Sequence, residues 1–350
     1  MMRLPAEVRA RLEQALVVPH AKRELLALGL ARRDLRRLRE NGALQCHHRR
    51  YIGSHLRPDL ARMACAQSAY AGSALSHLTA ASLAELRTWV DKKRDEAPPS
   101  DAIWLTRPAG LGRNEATDQI VLRLAGLTAA DIRPHNRFSI TREARTIVDL
   151  ARELPLREAI VTIDHALAVA VLRTDVDAVL ARQAGWPGIS SARDAIAFAD
   201  PRSESALESI ARAAFAEHGL PAPVLQASFW RGSGWTSERV DFWWPQFRTF
   251  AEADGLAKYE AATPKQRRQQ MRAVFVREQR LADLGLEMVR FGWEDAVDDA
   301  KGLCGRLRSA FDRGVGRPGD TPRWRSEDPY DVMAWPRVPP LDDEVWNPAS

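Results

Sequence analysis

Apolar residues recur at helical spacing in two short runs near the start of the chain. From His20 to Gly29 (HAKRELLALG) they line one face, the glycine ends the run, and Leu30 to Asn41 (LARRDLRRLREN) resumes it with leucines at 30, 35 and 38. The pattern predicts helix, turn, helix. The Gly42 turn and Gln45 to Gly53 (QCHHRRYIG) predict a short hairpin, or wing, after it. Further on, helical periods cover Leu60 to Tyr70, Thr79 to Trp89, Arg142 to Leu154 and Glu158 to Leu172, with strands at Ile103 to Thr106 and Ile120 to Leu124. A helix from Glu204 to His218 then leads into strands at Val224 to Trp230, Arg239 to Trp244 and Thr249 to Asp254. A long helix from Thr263 to Leu284 follows, with Met271, Val274, Phe275 and Leu281 inward, and the last strand runs from Leu286 to Phe291. After Gly314 the periodicity stops, leaving Pro, Gly, Asp, Arg and isolated tryptophans at 324, 335 and 346.

These runs predict a multi-domain α+β protein: a winged helix-turn-helix over 1–55, one α+β unit over 56–200, a unit of helices and strands over 201–312, and an extended or disordered tail over 313–350. A length of 350 residues, 45% hydrophobic and 28% charged, suits two or three globular units. No apolar run reaches the length of about eighteen residues that a membrane span needs, and the first residues form a charged amphipathic stretch without a signal-type core, so the expected setting is cytoplasmic and off the membrane. Cys46, Cys65 and Cys304 are far apart, which encodes neither a disulfide framework nor a zinc ribbon.

The net charge of +5 comes with clustered arginines. Arg32, Arg33, Arg36, Arg37 and Arg39 lie on the polar face of the second helix, and Arg49 and Arg50 on the hairpin. Helix-turn-helix units place such a helix in the DNA major groove while cations meet phosphates, whereas a small helical bundle with a solvated basic face has the same pattern. An arginine- and alanine-rich composition also follows from a GC-rich genome. In Ser76-His77-Leu78-Thr79 the spacing is read as a helix N-cap with Thr79 as the capping side chain; His135 and His165 are read as structural or surface residues.

A second cluster is acidic. Helical geometry puts Glu208 beside the apolar stripe of Leu207, Ala211, Ala214 and Phe215, where a carboxylate needs a cation, a metal or strong donors. Strand alternation pairs Asp241 with Trp243, and Glu252 with Phe250 and Asp254; pairing the strands gathers three carboxylates. Hard oxygen ligands select Mg²⁺ or Mn²⁺, with Asp241, Glu252 and Asp254 as the metal ligands. Lys258 is placed to orient water or stabilise charge on a phosphate, Arg290 is a phosphate contact, and Glu278 falls on the inward face of the long helix. An ion-pair network with Arg239, Arg248 and Lys258 is the alternative account of the same acids.

Two resemblances bear on these patterns. The string LLALGLARRDLRRLRENGALQCHHRRYI resembles the winged-helix N-terminal domain of AbiEi-type antitoxins and related actinobacterial proteins, with Gly29, the basic second helix, Gly42 and Arg50-Tyr51 carrying the likeness. The Ser76 to Ala81 string and ITREARTIVDLA resemble the connecting segment of the same group. The resemblance implies DNA binding, with a toxin or other protein as a further partner. Residues 201–312 resemble the PD-(D/E)xK nuclease superfamily, in its branch near very-short-patch-repair endonucleases, through SESALES, RVDFWWP, AEADGLAKY and REQRLADLGLEMVRFGWED.

That likeness implies a restriction-endonuclease-like α/β/α fold for 201–312, and the first likeness makes 56–200 a connecting domain. Glu208 matches the first-helix acid, Asp241 the central acid and Glu252 the acid of the second half-motif. The usual lysine lies two residues after that acid, where this chain has Asp254, so Lys258 would have to act as a migrated lysine. The expectation is a Mg²⁺-dependent DNA endonuclease in genome defence or repair. The alternative is a non-catalytic DNA-binding regulator of the antitoxin type with a degenerate nuclease domain.

Overall fold

Short leucine-spaced runs close on themselves before any large sheet is built. In a computed structural model, which describes residues 16–99, 101–169, 171–230, 234–254 and 264–326, the chain is a mixed α+β protein with three sheets. It divides into two compact units, one through Leu86 together with Val90–Leu150, the other formed by Arg87–Trp89 and the chain from Ala151.

The first unit begins with β1 (His20–Ala21), α1 (Lys22–Ala27), α2 (Arg32–Glu40), β2 (Leu44–His47) and β3 (Arg50–Gly53). Leu25, Leu30, Leu35 and Leu44 form its small core. Gly29 turns the chain between the helices at φ 95°, a conformation that favours glycine. Asp34 starts α2 by accepting the Ala31 N–H at 2.9 Å. β2 and β3 form a hairpin joined by His48 and Arg49, both at positive φ, and β1 pairs with β3.

Next come α3 (Pro58–Ala69), β4 (Ala74–Leu75), α4 (His77–Leu83), β5 (Ile103–Arg107), β6 (Glu115–Ala116), β7 (Ile120–Leu124), β8 (Ile132–His135), β9 (Phe138–Thr141) and α5 (Glu143–Glu153). The sheet order is β6-β7-β5-β4-β9-β8. Arg145 on α5 is buried and ties the helix down, bonding Asp149 at 2.7 Å and the Gly126 carbonyl at 2.9 Å, with Asp131 at 3.5 Å. The helix expected over Thr79 to Trp89 is shorter, because Glu85 turns left-handed at φ 57°. Thr79 is not its cap. Ser76 holds the N-cap position, and the Thr79 hydroxyl instead accepts the Trp104 N–H of β5 at 2.9 Å.

The second unit contains α6 (Leu156–Val169), α7 (Arg173–Arg182), α8 (Ile189–Phe198), α9 (Ala206–Glu217), β10 (Val224–Trp230), β11 (Trp235–Trp244), a 3-10 turn (Pro245–Phe247), β12 (Thr249–Ala253), α10 (Pro264–Ala282), β13 (Glu287–Phe291), α11 (Trp293–Val297), α12 (Ala300–Val315) and β14 (Trp324–Ser326). Its sheet runs β13-β12-β11-β10-β14, antiparallel except for the β12–β13 pair. In one core Leu207, Ala211 and Phe215 of α9 and Leu303, Leu307 and Phe311 of α12 meet Leu225, Phe242, Trp244, Ala251 and Phe291. In the other, Ala227, Phe229, Val240, Trp243 and Phe250 meet Leu281 and Leu286.

Two expected boundaries move. The 56–200 stretch does not form one unit, because its later helices belong to the second unit: α6 packs on α9, and Nη2 of Arg212 on α9 donates to both oxygens of buried Asp164 at 2.9 and 2.8 Å. The tail expected from 313 is structured through residue 326. α12 continues to Val315, buried Arg248 donates to the carbonyls of Gly314, Pro318 and Gly319 at 3.0, 3.1 and 2.6 Å, and β14 then pairs with β10. Arg248 therefore clamps a carbonyl turn instead of joining an acid network. Among the described residues no helix is long and apolar enough to cross a membrane.

Removing one partner of a buried ion pair leaves the other charge without compensation, at a cost of about 3–5 kcal/mol. Arg212→Ala is expected to lower unfolding stability by that order in urea titrations, with Asp164→Asn/Arg212→Met losing less than Arg212→Ala alone. Equal stability of Arg212→Ala and the natural chain would show that the pair does not hold α6 to α9.

Candidate functional site

Glu208 is placed by its own helix start. Ser205 is the N-cap of α9 and accepts the Glu208 N–H at 3.1 Å, which fixes Glu208 in the first turn. The side chain folds back, taking the Ser205 hydroxyl at 2.7 Å, the Glu204 N–H at 2.9 Å and Gln226 Nε2 at 2.9 Å. Strong donors thus meet the buried carboxylate. Burial and the nearby negative charge of Asp241 nevertheless push its pKa from the ordinary 4.5 up to about 7.

The strand registers set the rest. Leu225 opposes Phe242 and Ala227 opposes Val240, which puts Gln226 opposite Asp241. Phe242 opposes Ala251, so one step on Asp241 faces Glu252; Glu252 in turn pairs with Arg290. Gln226, Asp241, Glu252 and Arg290 form a row across β10, β11, β12 and β13. The β10–β11 pair turns over at this row: Leu225 and Phe242 enter one core, Ala227 and Val240 the other. Gln226 adopts φ 55° there, a left-handed kink inside a strand, and a break of that kind re-aims side chains. Simple alternation, which groups Asp241 with Trp243, does not hold across the kink.

Arginines occupy the acids. Arg277 of α10 grips both Glu252 oxygens, with Nη1 on Oε2 at 2.5 Å and Nη2 on Oε1, and also donates to the Arg239 carbonyl at 2.8 Å. Arg290 bonds Glu278 at 2.7 Å and lies 3.8 Å from Glu252 and 3.9 Å from Asp254. Asp241 Oδ2 accepts the Ala253 N–H at 2.9 Å, and Arg239 pairs with Glu204 at 2.5 Å. Among the described residues no group of three His, Cys, Asp or Glu side chains stands at metal-holding separation. Lys258 lies outside the described residues.

The carboxylates at Asp241 and Glu252 have the donor chemistry that Mg²⁺ or Mn²⁺ takes, and Arg277 is the cation a metal would have to displace. Arg277 is absent from the sequence expectations. The signal for it is spacing: it lies three residues after Val274 and four before the buried Leu281, on the inward side of α10. Phe275, expected inward, is 60% exposed. Arg290 is engaged with protein acids, so its expected phosphate contact would require exchange.

In the N-terminal helices and hairpin, Arg32, Arg33, Arg36, Arg37 and Arg39 are exposed along α2, and Arg49 is exposed at the hairpin tip. Arg36 and Arg39 line an open pocket of about 490 Å³ with Glu40, Leu44, Gln45, Cys46 and His47. Arg50 differs: it is half-buried and donates to the Ser68 carbonyl of α3 at 3.3 Å, tethering the hairpin. Burial and Arg62 lower the pKa of His47, and burial, His47 and Arg62 lower that of His48, so the positive charge at neutral pH is that of the arginines.

No family model matches the chain. Two proteins of Mycobacterium tuberculosis, from strains CDC 1551 / Oshkosh and ATCC 25618 / H37Rv and both described as uncharacterized, are 36% identical to it over 178 residues, 51% of this chain and 62% of each relative.

The raised Glu208 pKa has a definite sign. A carboxyl that holds its proton more tightly when folded contributes stability below about pH 4.5, and that contribution is lost as pH rises through about 7. The difference is worth about 3 kcal/mol at most. Stability is expected to decline across this window, and Glu208→Gln to flatten the decline, in urea titrations at stepped pH. An unchanged slope in the variant would place the titrating group elsewhere.

Proposed function

We propose that this protein acts on DNA: the arginine face of α2 holds the duplex, and the C-terminal unit is a metal-dependent endonuclease of the PD-(D/E)xK type. The observation that carries the reading is the order helix, three antiparallel strands, helix, parallel strand, with Asp241 and Glu252 opposite one another on its central strands and Glu208 on the preceding helix. Asp241 and Glu252 would hold Mg²⁺ or Mn²⁺, with Glu208 or Asp254 completing the set; such an ion supplies charge neutralisation at the phosphate and an acidified water. Arg277 then competes with the metal for Glu252. The N-terminal helix-turn-helix and hairpin support the DNA-binding half, and their likeness to AbiEi-type antitoxins makes a toxin a candidate protein partner.

One observation favours a second reading. Arg277 already satisfies both oxygens of Glu252, as expected if the acids have become an ion-pair network in a non-catalytic regulator that binds an operator. Purified protein incubated with plasmid and with single-stranded DNA in Mg²⁺ or Mn²⁺ separates the two. The nuclease reading expects metal-dependent cleavage that Asp241→Ala abolishes and that Arg277→Ala supports at lower metal concentration. Cleavage untouched by Asp241→Ala would remove these acids from the mechanism, and no cleavage under any metal would leave the regulator.

Binding is tested apart from cleavage. Removing one cation that neutralises a phosphate should reduce the slope of log affinity against log salt by about 0.9 for duplex DNA. Arg32→Ala/Arg36→Ala is therefore expected to flatten the salt dependence by roughly two of these steps in anisotropy titrations. Affinity should change little between pH 7 and 8, because burial and Arg62 lower the pKa of the hairpin histidines below the ordinary 6.5. A slope unaltered by the double change would assign duplex binding to another surface.

A further inference from the structure

At the β10–β14 edge of the C-terminal sheet, aromatic and cationic side chains share one face. Trp230 and Trp235 are cross-strand partners with ring centroids 5.5 Å apart, edge to face. β14 lies along β10 with Arg325 opposite Ser228 and Trp324 opposite Phe229, and the Trp230 N–H donates to the Arg323 carbonyl at 2.8 Å. Arg323 and Arg325, two residues apart, therefore project to the same side. Their guanidinium carbons lie 5.3 Å over the Trp230 ring and 4.6 Å over the Trp235 ring. Arg239, also opposite Ser228, extends the row, and its partner is the exposed Glu204. All three arginines are exposed, while the two indoles are half-buried.

Exposed guanidinium groups lying over half-buried indoles present two things at once: π surface and positive charge. Phosphate alone would use only the charge. A duplex keeps its base faces covered, so only unpaired bases can use the indoles. We propose that this face binds a single-stranded nucleic-acid segment, bases against Trp230 and Trp235 and phosphates against Arg323, Arg325 and Arg239. Arg239 precedes Asp241 by two residues on β11, about 7 Å along a strand. The face thus delivers an unpaired strand to the acid row; that last step rests on the nuclease reading, whereas the binding does not.

The test uses the full chain in EDTA, so that loss of cleavage and loss of binding are read separately. Labelled oligo-dT and oligo-U of about twelve nucleotides, within the size range of single-strand sites, are titrated by anisotropy beside a duplex of equal length, with inorganic polyphosphate as the charge-only competitor. A background with Arg32, Arg33, Arg36, Arg37 and Arg39 all changed to alanine strips the cations from the α2 face. The expected result is tighter binding of single strand than of duplex, with Trp230→Ala and Trp235→Ala each weakening it by roughly fivefold or more. Trp230→Phe keeps an aromatic ring and should restore most of the affinity, which a mere folding defect would not predict for the alanine change alone. Arg323→Ala/Arg325→Ala should reduce the salt slope by roughly 1.4. A preference for oligo-dT or oligo-U identifies DNA or RNA as the source. Absence of single-strand binding, or binding that polyphosphate displaces fully and the tryptophan changes leave untouched, overturns the proposal.

Discussion

Carboxylates taken out of water must be met by a cation or by several donors, and among the described residues arginine repeatedly meets them. Arg145 joins α5 to Asp131 and the Gly126 carbonyl in the first unit; Arg212 joins α9 to Asp164 of α6 in the second; Arg277 joins α10 to Glu252 on β12. Each of these helices also buries an apolar face or residue, and apolar burial supplies most of the free energy. A fully buried Phe or Leu is worth about 1.5–3 kcal/mol, whereas a buried ion pair costs nearly as much in desolvation as it returns. What the pairs decide is which face meets which. Shifting α9 by one residue would carry Arg212 away from Asp164 and leave two charges buried alone.

Long elements with a strong period were legible. The helices around Phe215 and Leu281 and the strands ending at Trp230, Trp244 and Phe291 follow from the spacing of apolar residues, because both faces of their sheet are covered. Two-residue strands such as Ala74–Leu75 carry no period, and α7 and α8, ten residues each, bury only three residues apiece. The unit boundary was illegible for a related reason. It turns on Asp164 and Arg212, 48 residues apart, and no local pattern couples them.

The acid positions were legible and their environment was not. Periodicity puts Glu208 on a helix and Asp241 and Glu252 on strands, where the structure has them. The left-handed turn at Gln226 cannot be read in this way, since glutamine at positive φ is uncommon and has no composition signal. That kink is what puts the Gln226 amide on Glu208, supplying the third donor to a carboxyl whose pKa burial and Asp241 raise to about 7. The two-pronged grip on Glu252 comes from Arg277, 25 residues further along, and becomes visible only when α10 is laid against the sheet.

Arg277 also constrains what the acid row can do. A guanidinium holding both oxygens of a mostly buried carboxylate makes two charge-assisted hydrogen bonds, each worth about 1.5–3 kcal/mol. A divalent ion offers the same carboxylate a stronger local charge, but it must displace the guanidinium and find further oxygen ligands. Asp241 is the nearest in register, on the neighbouring strand. Once displaced, Arg277 would still be tied to the row through the Arg239 carbonyl, to which it donates at 2.8 Å. The exchange of Glu252 between guanidinium and metal therefore decides whether this row is a structural knot or a site for phosphate chemistry.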